Sequence, residues 1–213
     1  PDAYWREGGN TVDALKIWEG GLGIWGAIAL GAFGIWVGCR QVGIRFLPFL
    51  DAAVPGVALA QAIGRVGNWF NNELYGGPTT LPWGLTIHQW DQGAGRAVED
   101  ASGNPVVLGV FHPTFLYEMI WLVILAVALL VIDKRRALAP GQLAGLYVAG
   151  YPVGRIVIEF MRTDKAEIIL GVRLNVWTSI IVFALGVWIY WFTGRRAERN
   201  AVPQSEPESR NVG

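Results

Sequence analysis

The chain has 213 residues, of which 53% are hydrophobic and only 16% charged. A soluble domain carries about a quarter charged residues, so much of this surface is expected to meet lipid rather than water. Basic and acidic side chains balance at 17 each, which removes any bulk electrostatic case for a nucleic-acid partner, and a single cysteine, Cys39, rules out a disulfide framework or a cysteine-rich zinc site.

Taken in chain order, the sequence opens on Pro1 and a polar stretch, PDAYWREGGN, without a signal-peptide pattern. Residues 1–19 read as an extracytoplasmic segment, and the expectation is that the chain begins partway into a longer protein. Five apolar segments then have the roughly 17 to 25 residues that a bilayer crossing takes: Gly20–Gly38, Phe46–Gly64, Phe115–Ile132, Gln142–Met161 and Val176–Phe192. Eleven tryptophans and 28 glycines suit such a bundle, where indoles anchor at interfaces and small residues let helices approach. The predicted fold is all-α, a polytopic transmembrane bundle over residues 20–193 with an irregular outer loop at 65–114. Residues 194–213 read as a polar cytoplasmic tail, disordered from Ala201 onward.

Orientation follows from loop arginines and lysines. Arg40 and Arg45 follow the first span, Lys134, Arg135 and Arg136 the third, and Arg195, Arg196 and Arg199 the fifth. In a zigzag chain these loops share one side, predicted to be the cytoplasm. The 65–114 loop and the 163–175 loop then face outward.

Ionisable groups near a span cost roughly 2.5 to 3.5 kcal/mol each at its centre, so they persist where they are paired or used. Here they gather: Asp51 in the second span, Arg65 at its outer end and Glu73 just beyond. His112 and Glu118 open the third span, and Arg155, Glu159 and Arg162 close the fourth. All are expected to converge on one leaflet. The most specific local feature is GRVGNWFNNELYGG, Gly64 to Gly77, where glycines permit tight turns and Arg65, Asn68, Asn71, Asn72 and Glu73 supply donors and acceptors. Its bland reading is a re-entrant turn with a snorkelling Arg65, which leaves so many polar groups unexplained. Arg155, Glu159 and Arg162 lie at i, i+4 and i+7 on one helical face. Glu159 reads equally as a neutralising partner or a catalytic group, while Arg155, deeper in the span, suits bidentate binding of phosphate oxygens. His112 in HPTFLYE reads equally as a base or a capping residue. His88 is expected at the surface, and Cys39 as packing.

These motifs, GRVGNWFNNE, HPTFLYE and GRIVIEFMR in that order, resemble the bacterial prolipoprotein diacylglyceryl transferase family over about Trp18 to Phe192. The resemblance implies a seven-span plasma-membrane enzyme needing no cofactor or metal. It would transfer the diacylglyceryl group of phosphatidylglycerol to the lipobox cysteine of a preprolipoprotein, releasing glycerol phosphate. It also implies that two upstream spans are missing here. Carried over by motif, Arg65, Asn68, Arg155, Arg162 and Asp51 would bind phosphatidylglycerol, and Arg65, Arg155, Glu159, His112 and Glu73 would be catalytic. One departure stands out: many members have a His-Gly-Gly stretch where this chain reads GIWGAI, with Trp25 in the histidine's place. A thiol base at that position is therefore not available. The rival classes are a transporter or channel, which would want ionisable groups near the midplane and access from both sides, and a non-catalytic lipid-binding scaffold.

Overall fold

In the computed structural model, the described residues are 24–70, 74–91, 93–162, 168–169 and 171–201. Glu73, the N-terminal segment and the chain beyond Ala201, for which expectations were stated, lie outside them. Six helices of the described chain carry the architecture: α1 (Ile24–Gln41), α2 (Phe46–Gly64), a short α3 (Val66–Phe70), α4 (Thr114–Arg135), α5 (Gln142–Met161) and α6 (Leu174–Ala201). Two of the expected spans, Phe46–Gly64 and Gln142–Met161, coincide with α2 and α5. Among the described residues four helices are long and apolar enough to cross a membrane: α2 with its extension through Phe70, then α4, α5 and α6. The remaining expected span falls on α1, which is 18 residues long and closes on Arg40 and Gln41.

Two compact units can be separated, residues 1–49 and 50–213. Within the second, α5 packs most extensively on α6 and also on α4. The α5–α6 contact is set by glycine: a Cβ on Gly145 would sit 2.7 Å from the Tyr190 nitrogen and 3.0 Å from the Gly186 carbonyl oxygen. Lipid offers little driving force for helix association, so this backbone-to-backbone approach supplies the van der Waals contact instead. The apolar core gathers Val54, Leu125, Leu129, Leu143 and Ala144, with Tyr147 and Tyr151 packed against it.

Two details extend the sequence reading. The 65–114 segment holds short strands among its described residues. It contains β1 (Leu85–His88) paired antiparallel with β4 (Val107–Phe111), and β2 (Trp90–Asp91) paired with β3 (Arg96–Ala97). Alternating Val, Leu, Thr and Ile in these stretches favour the pleated form, though runs this short give little periodic signal. A third small hairpin joins β5 (Ile168–Ile169) to β6 (Val172–Arg173) just before α6. The presumed tail from Gly194 continues the last helix as far as Ala201. Arg195 stacks 3.9 Å from the Trp191 ring centroid, and basic residues complement the negative end of the helix dipole.

Candidate active site

The site is built where one end of the bundle brings together the last turn of α2, the first turn of α4, the last turns of α5 and the start of α6. Arg65 follows directly on α2, its N–H still donating to the Gln61 carbonyl, so the helical turn continues through it. Glu118 lies one turn into α4, Arg155 and Glu159 sit on α5, and Arg173 closes β6.

These five side chains alternate in charge. Arg65 Nη2 donates to Glu118 Oε1 at 2.5 Å, and Arg155 Nη1 donates to Glu118 Oε2 at 3.2 Å. Arg155 Nη2 lies 3.5 Å from Glu159 Oε2, an ion pair without hydrogen-bond geometry. Arg173 Nε donates to Glu159 Oε1 at 2.7 Å, joined by Asn175 Nδ2 at 3.0 Å. The carboxylates are enclosed, with side-chain exposures of 4% for Glu118 and 1% for Glu159, whereas Arg65 and Arg155 keep 22% and 18%. The anions are thus inside and the cations reach outward. Burying such carboxylates alone would be prohibitive, and the arginine forks make it tolerable.

The arrangement has two chemical consequences. The guanidinium groups of Arg65 and Arg155, held by Glu118 and partly accessible, complement the negative charge of a phosphodiester. Arg65 also spends only Nη2 on Glu118, so its Nε and Nη1 hydrogens remain without a protein acceptor among the described residues. Near it, Asn68 Nδ2 on α3 is buried and has no hydrogen-bond partner. Buried donors are nearly always satisfied, so the orphaned Asn68 amide beside the reachable Arg65 guanidinium suits an oxygen-rich anion.

Backbone bonds fix the surroundings. Gly76 N donates to the His112 carbonyl at 2.8 Å, His112 N to Gly77 at 3.0 Å, and Gly77 N to Met161 at 3.1 Å. Thr114 Oγ1 donates to Leu74 O at 2.6 Å, and Leu74 itself adopts φ 58°, a left-handed conformation rare outside glycine. Gly76 is required here by close approach, because a Cβ would lie 2.8 Å from both the Met161 carbonyl oxygen and Thr114 Cγ2. The Leu74–Gly77 strip therefore ties the start of α4 to the end of α5.

The sequence-derived candidates divide accordingly. Arg65, Arg155 and Glu159 share one network. Asn68 stands beside it, and Arg162 caps α5 with its carbonyl accepting from Arg173 Nη1 at 3.0 Å. His112 is adjacent but separate: its Nδ1 lies 3.2 Å from the Tyr117 hydroxyl, which also accepts from Trp83 Nε1 at 2.9 Å. Asp51 does not converge with the others, which corrects the expected gathering on one leaflet. It is 14 residues before Arg65 on the same helix, about 21 Å along the axis. There it accepts from Gly141 N at 2.6 Å and Ala144 N at 2.8 Å, satisfying orphan N–H groups at the start of α5. His88, expected at the surface, is half-buried on β1. Of the other two network members, Glu118 was expected among the gathering ionisable groups but had no role assigned, and Arg173 was not a sequence-derived candidate. Glu118 was legible as the last residue of HPTFLYE, whereas Arg173 stands in an undistinguished loop and carries no local signal.

Comparison with known proteins follows the same motifs. The family described as prolipoprotein diacylglyceryl transferase matches residues 3–192. A phosphatidylglycerol–prolipoprotein diacylglyceryl transferase of Paenarthrobacter aurescens (strain TC1) is 47% identical over 202 residues, 95% of this chain and 64% of its own length. Its counterpart from Streptomyces griseus is 55% identical over 186 residues, 86% of this chain and 53% of its own. One from Rhodococcus jostii is 46% identical over 213 residues, 99% and 59% respectively. The chain thus spans little more than half the length of the relatives it matches.

Proposed function

The chain belongs to the prolipoprotein diacylglyceryl transferase family, and on that premise we propose that it transfers the diacylglyceryl group of phosphatidylglycerol to the lipobox cysteine of a preprolipoprotein, as the first step of bacterial lipoprotein maturation. The observation that carries this reading is the Arg65–Glu118–Arg155 bridge, a buried carboxylate holding two partly accessible guanidinium groups at one end of a membrane bundle. Loop arginines support placing that end outside a bacterial plasma membrane, since Lys134, Arg135, Arg136, Arg195, Arg196 and Arg199 all lie at the opposite helix ends.

In the proposed reaction the substrate's thiolate sulfur attacks the glyceryl carbon. The carbon–oxygen bond to phosphorus breaks with its electron pair on oxygen, glycerol phosphate leaves, and the thiol proton passes to water. Negative charge grows on the phosphate as the bond breaks. Arg65 and Arg155, prepositioned by Glu118, meet that charge without reorganising, which is where preorganised cations contribute most. Asn68 and Arg162 support the headgroup.

Glu159 suits a positioning role better than that of a base, because one oxygen accepts from Arg173 and Asn175 while the other faces Arg155. His112 is tethered to Tyr117 and, among the described residues, makes no hydrogen bond to Glu118 or Glu159. We assign acidification of the thiol to the arginine field, since neighbouring cations lower a thiol's pKa. Glu73 remains a candidate from its motif alone. The test supplies the purified full chain with phosphatidylglycerol and a lipobox peptide and measures glycerol phosphate together with peptide lipidation. Equimolar appearance supports transfer; lipid cleavage without peptide modification contradicts it.

A further inference from the structure

Below the arginine network, a second polar pair lies deeper between α2 and α5. Tyr147 Oη donates to Gln61 Oε1 at 2.8 Å, with both residues half-buried. Gln61 stands one helical turn before Arg65, and Tyr147, Tyr151 and Arg155 follow one another at four-residue steps along α5. Residues at such spacing share a helix face. The two helices therefore present facing strips that run from the arginine network down to Gln61 and Tyr147.

The Gln61 amide is only half used. Its oxygen accepts from Tyr147, while neither hydrogen on Nε2 meets an acceptor among the described residues. Nor is that nitrogen among the enclosed, unsatisfied atoms, so it remains reachable. A reachable primary amide on a bilayer-crossing helix has no water to satisfy it in the hydrocarbon region, and it is costly to leave unbonded. The acceptors available at that depth are ester carbonyls. One helical turn is about 5.4 Å, on the order of the separation between a phospholipid's phosphate and its ester groups.

We propose that Gln61, oriented by Tyr147, is a subsite for an ester carbonyl of the diacylglyceryl unit, a reading that rests on the transfer proposed above. The arginines hold the part that leaves, and Gln61 holds the part that is transferred. The subsite then distinguishes diacyl lipids from dialkyl ethers of equal headgroup and chain length, which lack the carbonyl. A purely structural Tyr147–Gln61 bond would join the helices without sensing this difference.

The experiment compares phosphatidylglycerol with its dialkyl ether analogue, using the full chain in mixed micelles. Two readouts are taken: kcat/KM for glycerol phosphate release with a lipobox peptide, and equilibrium lipid binding without peptide. The wild-type protein is expected to favour the ester lipid about five- to tenfold, the strength of one neutral hydrogen bond. Gln61→Leu brings the ratio near one in both readouts. Tyr147→Phe, which keeps the amide, retains a preference while weakening both lipids alike. An ester-to-ether ratio in Gln61→Leu equal to that of the wild type overturns the subsite, whatever its absolute rate. If no lipid is turned over but Gln61→Leu still erases the binding preference, the transfer reading falls and the subsite stands.

Discussion

Glu118 holds both guanidinium groups of the site through its two carboxylate oxygens. Replacing it with Ala leaves Arg65 and Arg155 facing each other without their shared anion. Removing one partner of an enclosed ion pair costs about 3 to 5 kcal/mol, so Glu118→Ala is expected to lower the unfolding midpoint of the detergent-solubilised chain sharply. A midpoint equal to the wild type would show that the bridge carries no weight. Arg155→Ala is expected to reduce transfer about 10² to 10³-fold, the usual effect of deleting one preorganised charge, with normal membrane insertion. Arg155→Lys should recover little, because a point ammonium cannot address Glu118 and Glu159 together as a guanidinium fork does. The arginines were legible in the sequence because a charge in an apolar span demands a reason. Glu118 was legible as an ionisable group at a span end but without a role, and Arg173 not at all, since its partner Glu159 is brought to it by tertiary folding across the β5–β6 hairpin.

Between elements, glycine and helix ends do the work. Gly145→Val is expected to force α5 away from α6 and to destabilise by roughly 1 to 3 kcal/mol, as overpacking does in close-packed interiors. Thermal unfolding in detergent measures it, and an unchanged midpoint would mean that the backbones do not touch. Asp51→Ala should cost about 1 kcal/mol by uncapping α5, with Asp51→Asn recovering part of it. Its effect on lipid affinity is expected to fall well below that of Arg65→Ala, given its place at the far end of α2. Span bounds were readable because long apolar runs need no tertiary information: α2 and α5 match to the residue. The short strands β1 to β4 were not, because runs of two to five residues carry too little periodic signal to announce their pairing. Asp51 misled for a related reason. Its charge announced importance, but whether it faces a ligand or another helix's N-terminus is decided only by packing.

For the whole molecule, composition spoke for a membrane bundle, and the family match spans most of the chain. Charge placement joins these levels: the mixed network of Arg65, Glu118, Arg155, Glu159 and Arg173 occupies one end, and Lys134, Arg135 and Arg136 with Arg195, Arg196 and Arg199 lie at the other ends of α4 and α6. The central claim is that the Arg65–Glu118–Arg155 bridge is the phosphate site of a diacylglyceryl transferase. It is tested most directly by following glycerol phosphate release from phosphatidylglycerol, in the presence of a lipobox peptide, by the wild-type chain and by Arg65→Ala. The account predicts release matched one-to-one by peptide lipidation in the wild type, and its loss in a folded, membrane-inserted Arg65→Ala protein. Equal release by the two proteins would contradict it.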